Sequence, residues 1–191
     1  MSLKVLVIPE DPTHNGTILK PLVESILSDA GKPNAKVNVL TSPRLKGYDH
    51  AMKAIREELP IRYGFCDFWL FMPDADRASN DAMKGLESDL SHQSVRLICC
   101  PAQPEVEIYA CVGYREELNA QWEAIRKQKH EMKEDHFEPL LKKHGDPRRA
   151  SGGRDLMIKK SLSSLKTLYQ FCPELLELKQ RIEEVLKEIE A

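Results

Sequence analysis

Asp74 and Asp76 stand one residue apart where the apolar run FWLFM ends, and Glu10 stands just past a second apolar run, LKVLVI. In extended chain, residues i and i+2 point to the same side, so the two aspartates are placed to face one cation together. Carboxylates held that close repel and raise each other's pKa, whereas a divalent cation makes their joint ionisation favourable. Hard oxygen donors with no Cys or His ligand beside them suit Mg2+ or Mn2+ rather than zinc. Glu10 can complete the cage or move a proton. An aspartate after a strand also serves as a turn former or helix cap, so the weight rests on the combination of the pair with Glu10.

These residues need elements to position them. Apolar runs over 3–8, 35–40, 66–72 and 94–100 predict strands, and between them lie helical patterns over 17–31, 48–59 and 81–90. Thr13 or Asn15 can cap the first helix and Gly31 closes it, while Ser79 or Asn80 can cap the third. The order β-α-β-α-β-α-β, with strands apolar on both faces, predicts an α/β fold with a parallel sheet between helices. In such sheets ligands sit beyond the carboxyl ends of the strands, where Glu10, Asp74 and Asp76 fall.

After residue 113 the chain becomes charged and helical. Residues 114–144 predict helix, 144–155 a loop, and the remainder an amphipathic stretch with Leu162, Leu165, Leu168, Leu175, Leu178, Ile182, Val185 and Ile189 at helical spacing. We therefore divide the chain into an α/β domain over 1–113 and a helical extension over 114–191 packed on it, with a dimer interface as the other use of those leucines.

A chain of 191 residues with 41% hydrophobic residues can bury one full core. No apolar run approaches the roughly 18 residues that span a bilayer, and MSLKVLVIPED lacks a charged leader, so a soluble, cytoplasmic protein is expected, monomer or homodimer. The net charge of −2 excludes a generally basic nucleic-acid coat. Five cysteines without a CxxC indicate neither a disulfide framework nor a zinc site.

A Glu after the first strand, DxD after the third and this element order resemble the Toprim fold of topoisomerases, DnaG-type primases and overcoming-lysogenization-defect nucleases. Within it the chain is most similar to small Toprim-like proteins of the RloB-like kind. Their first strand runs into a pattern like E-G-x-T-E and a helix of the form x-L-x-P-L-L; here stand Glu10-Asp11-Pro12-Thr13-His14 and ILKPLVESIL, with Asp11 in place of glycine and His14 in place of the second glutamate. PAQPEVEIYACV over 101–112 resembles the family's proline-rich turn with its Glu, and KTLYQFCPELLELKQRIEEV its helical ending. The resemblance implies Glu10 as general acid or base, Asp74, Asp76 and Glu107 as ligands of Mg2+ or Mn2+, and a DNA or RNA substrate. It also implies a nuclease of a bacterial defence system, working with an ATPase partner. A non-catalytic Toprim-like module binding a nucleotide or partner protein is the alternative.

An anionic polymer must be held against this acidic centre. Residues 1–113 carry 12 basic and 15 acidic side chains, yet 142–160 carry 7 basic against 2 acidic. Lys142, Lys143, Arg148, Arg149 and Arg154 are therefore the expected nucleic-acid contacts, with the backbone at Gly152 and Gly153 as a further phosphate donor; a solvated, helix-flanking charge run is the competing reading. His14 and Arg77 are placed to touch a phosphate. Pro104 suits a helix's first turn, where Glu105 and Glu107 would diverge by about 200°, Glu105 toward solvent and Glu107 toward the strand ends. His130, His136 and His144 fit no helical metal pair.

Overall fold

The computed structural model describes residues 2–76, 78–118, 120–128 and 131–191. Arg77 and His130, singled out from the sequence, lie outside the described residues, as do Asn119 and Lys129 within the 114–144 segment.

Four strands, β1 (Lys4–Ile8), β2 (Lys36–Val39), β3 (Phe68–Phe71) and β4 (Leu97–Cys99), form one parallel sheet in the order β2-β1-β3-β4. Helix α1 (Gly16–Asp29) joins β1 to β2; α2 (Tyr48–Glu57) and the short α3 (Leu59–Tyr63) join β2 to β3; α4 (Asn80–His92) joins β3 to β4. The alternation of the pleat explains the sandwich. Val5, Val7, Phe68 and Leu70 face α1, packing on Ile18, Leu22 and Ile26. Leu6, Ile8, Trp69 and Phe71 face the other way, onto Ile55 of α2 and Leu86 and Leu90 of α4. Both faces are buried, which is why the strands read as continuous apolar runs.

The strands are shorter than the apolar runs that encode them. The third begins only at Phe68; just before it Asp67 still donates its N–H to the Lys4 carbonyl at 2.8 Å, while its carboxylate accepts the Lys4 N–H at 2.6 Å. The fourth begins only at Leu97 because Ser94, at φ 60°, completes the turn out of α4. Ser79 caps α4, accepting the Ala82 N–H at 3.2 Å. At α1 the cap position is Asn15, which makes no side-chain cap bond.

The outer edge of β4 is closed by side chains. Glu87 of α4 accepts the Cys99 N–H at 2.6 Å, and Arg181 donates to the Cys99 carbonyl at 3.1 Å and to Glu87 at 2.8 Å.

Beyond β4 come α5 (Ile108–Cys111), a 3-10 turn over Val112–Glu117, α6 (Trp122–Arg126), a π turn over Lys133–Phe137, α7 (Glu138–His144), α8 (Arg154–Leu162), α9 (Leu165–Phe171) and α10 (Pro173–Glu190). The single helix expected over 114–144 is thus broken. Leu118 is extended (φ −79°, ψ 133°) and Glu131 takes a left-handed φ of 68°, conformations that charge and propensity patterns do not announce. Residues Met157, Ile158, Leu168, Leu175, Leu178 and Ile182 share the core on the α1 face of the sheet. Helix α8 approaches closely at Gly113, where an added Cβ would lie 2.8 Å from the Ser161 nitrogen. Gly113 N–H donates to Ser161 Oγ at 2.8 Å, and Ser161 donates on to the Ala110 carbonyl at 3.0 Å. The five thiols are free, and all but Cys66 are buried. No helix of the described residues is long and apolar enough to cross a membrane.

Candidate functional site

The strand order reverses direction between β1 and β3: the chain leaves β1 toward β2 on one side and leaves β3 toward β4 on the other. The crevice beyond the carboxyl ends of two such strands is where open α/β sheets bind ligands. Glu10 follows β1 there by two residues and Asp74 follows β3 by three.

Asp74 is fixed by backbone. It forms a parallel bridge with Ala102, and its Oδ1 accepts the Val106 N–H at 2.9 Å. The next residue, Ala75, donates to the Ala102 and Pro104 carbonyls at 3.0 and 2.9 Å. The Asp74 carboxyl is pushed up to about 7, first by burial, and further by the charges of Glu107, Glu10 and Glu105, against the pull of the Val106 N–H. Three carboxylates from two other segments therefore bear on this one group.

Asp76 takes a different course. The chain turns at Ala75 and Asp76, so the extended geometry that would align the pair is not kept, and Asp76 is exposed while Asp74 is half-buried.

Glu107 is 3% exposed. Burial raises its carboxyl, and Lys133, Arg154 and the nearby His14 oppose the rise. Lys133 Nζ stands 3.9 Å from Glu107 Oε1. The helix expected from Pro104 does not form: α5 begins at Ile108, and Glu107 sits at its cap position after a turn closed by Ile108 N–H on the Glu105 carbonyl at 3.1 Å. The turn still sends Glu107 inward. Glu105 stays half-buried, raised by burial and then by Glu107 and Glu134.

The five basic residues separate. Lys142 is exposed. Lys143 pairs with Glu117 at 2.8 Å, Arg148 with Asp146 at 2.9 Å, and Arg149 with Asp155 at 3.0 Å through Nε. Such exposed pairs are worth about 0–1 kcal/mol, so a phosphate can compete for each guanidinium or ammonium. Arg154 instead lies near enough for its charge to act on Glu107. Its guanidinium lies 5.7 Å from the Phe137 ring centroid, and its buried Nε has no hydrogen-bond partner among the described residues. Gly153, at φ 91°, caps α8, and an added Cβ there would lie 2.2 Å from the Asp146 nitrogen.

Three contributions have no counterpart among the sequence-predicted site residues. Lys133 reaches Glu107 across the fold. Tyr48, 8% exposed at the start of α2, stacks beside Phe71 with ring centroids 6.2 Å apart, and its buried hydroxyl has no hydrogen-bond partner among the described residues. Asp11 pairs with His14, Oδ2 to Nδ1, at 2.8 Å. Beside the site a cleft of about 710 Å3 opens between α4 and α10, walled in part by Ala75, Gln103, Lys84, Arg126 and Arg181.

The donor set of Glu10, Asp74, Glu107 and Asp76 is oxygen only. The crowding of Asp74 by Glu10 and Glu107 is the kind that a hard divalent cation relieves, although no three such side chains among the described residues stand together as a ready-made metal group. His136 and His144 are engaged elsewhere, the first with Gln128 at 3.1 Å and the second with Glu117 at 2.7 Å. Comparison of the chain with protein families, with curated proteins and with solved structures gives no match.

Proposed function

We propose that this chain is a metal-dependent nuclease of Toprim type, hydrolysing phosphodiester bonds of DNA or RNA with Mg2+ or Mn2+. The observation that carries the reading is Asp74: a carboxyl at the strand-order reversal, pushed up to about 7 by burial and by carboxylates from two other segments. Nature rarely concentrates like charges in one place without a cation or a proton to reconcile them. Asp74 and Glu107 would hold the ion, with Asp76 reaching it from the exposed side. Bound there, a divalent ion supplies charge stabilisation for the non-bridging and leaving oxygens and lowers the pKa of the attacking water. Glu10 takes the proton from that water. Lys133 and Arg154 bring positive charge to the Glu107 side, where the carboxylates alone would repel a phosphate. The lysine 3.9 Å from Glu107 also favours a second reading, a non-catalytic module whose acids the protein itself compensates.

The test is cleavage of labelled single- and double-stranded DNA and RNA by the purified chain, with Mg2+ or Mn2+ and with chelator. Metal-dependent cleavage that falls by about 100-fold or more in Glu10→Gln supports the nuclease. Absence of cleavage in wild type together with no metal-induced thermal shift refutes it.

A further inference from the structure

The two departures from the resembled pattern at the end of β1, Asp11 and His14, are bonded to each other. His14 Nδ1 lies 2.8 Å from Asp11 Oδ2. The other oxygen, Asp11 Oδ1, accepts the Thr13 N–H at 2.8 Å and the His14 N–H at 3.4 Å. The carboxylate is therefore held by backbone on one side and holds an imidazole with the other. Thr17 Oγ1, on the first turn of α1, donates to the His14 carbonyl at 2.7 Å and fixes the turn from below.

We propose that His14 is a second proton-transfer residue of this site, giving a proton to the leaving oxygen of a phosphodiester, and that Asp11 is its positioning residue. The proposal rests on the nuclease reading and adds the leaving-group half of its chemistry. A carboxylate against Nδ1–H sets the tautomer and orientation of the ring and supports positive charge on it. With Nδ1 engaged by Asp11, Nε2 is the ring nitrogen left for a substrate oxygen. The ring is 47% exposed, so a polymer lying over the strand ends can reach it. It also bears on the acidic centre: the ring is near enough to Glu107 to oppose the upward pull of burial on that carboxyl. The turn that carries it starts one residue after Glu10, so both proton-transfer groups issue from the end of β1.

The step balances. Water oxygen bonds to phosphorus as Glu10 takes one of its protons, the bond from phosphorus to the leaving oxygen breaks, and Nε2–H passes its proton to that oxygen. The products are a phosphomonoester and an alcohol. Solvent then returns a proton to the ring and removes one from Glu10.

A leaving oxygen that is already a stable anion needs no proton. The experiment therefore compares an oligonucleotide, whose leaving group is an alkoxide, with bis(p-nitrophenyl) phosphate, whose leaving group is p-nitrophenolate. His14→Ala and His14→Gln are expected to lose about 100-fold or more in kcat on the oligonucleotide. On the nitrophenyl ester their loss should be smaller by at least about tenfold. Asp11→Asn should show the same substrate-dependent loss at lesser magnitude, with Asp11→Glu recovering part of it, and thermal denaturation should show all four variants folded. Equal losses on both substrates would overturn the role of His14 while leaving the nuclease reading in place. Wild type inactive on both substrates with either metal would overturn both.

Discussion

Asp74 offers the sharpest physical test because one nearly isosteric substitution removes its titration. An ordinary aspartate titrates at 3.8, and here burial, with neighbouring carboxylates, pushes the group up to about 7. For an acid raised on folding, the native chain keeps a proton that the unfolded chain has lost. Stability is therefore unaffected below 3.8, falls as pH rises through the interval, and has lost the full amount above about 7. At about 1.36 kcal/mol per pH unit the ceiling is about 4 kcal/mol, and relaxation and coupling to the buried Glu107 bring the measured value below it. Asp74→Asn keeps an oxygen to accept the Val106 N–H and removes the titration. Urea unfolding of both proteins from pH 4.5 to 8 without metal should show the variant gaining on wild type by about 2–4 kcal/mol across that range. Parallel stability profiles would refute the crowding on which the functional reading depends.

Millimolar Mg2+ should raise the wild-type melting temperature, since a ligand at 100 times its Kd adds about 2.7 kcal/mol to the native state, and the rise should vanish in Asp74→Asn with Asp76→Asn, as differential scanning fluorimetry would show. Alanine at Lys142, Lys143, Arg148 and Arg149 should weaken nucleic-acid binding and flatten its log-log salt dependence by roughly 0.9 for each phosphate no longer neutralised; an unchanged slope returns that loop to ordinary surface. Glu107→Gln should cut metal-dependent cleavage by orders of magnitude and Glu105→Gln should leave it nearly intact, and the reverse ranking would mean that the 105–108 turn is wrongly assigned to the site. Gly113→Ala should cost about 1–3 kcal/mol in urea unfolding, because its Cβ would meet the α8 backbone at 2.8 Å.

What was legible in the sequence is what local pattern encodes. The sheet and the helices α1, α2 and α4 follow from apolar runs such as KVLVI and FWLF separated by amphipathic stretches, since burial on both faces leaves the same mark wherever a strand lies in the sheet. Glu10 and Asp74 were legible because they follow such runs directly. The relative placement of Asp74 and Asp76 was not, because the spacing argument assumes extended chain and the backbone turns at Ala75 to satisfy two carbonyls of the 102–104 segment. Lys133 could not be found locally. Its pairing with Glu107 spans 26 residues and depends on a break at Glu131 that composition does not reveal. The Asp11–His14 bond was local, but an i,i+3 pair can meet on a turn or a helix alike, and the sequence around it reads as a cap.

The closure of β4 by Glu87 and Arg181 decides how the protein behaves in a crowd of its own copies. A bare edge strand is a template on which another chain can add itself, and proteins that leave one long and open tend to precipitate. Here a carboxylate and a guanidinium, one from each flanking helix, occupy the donor and acceptor that a fifth strand would use at Cys99. The final helix thus acts as a guard against polymerisation as well as a wall of the core. A chain cut before Pro173 would keep all four strands and lose Arg181, and its expected fate is association through the uncovered edge into insoluble material.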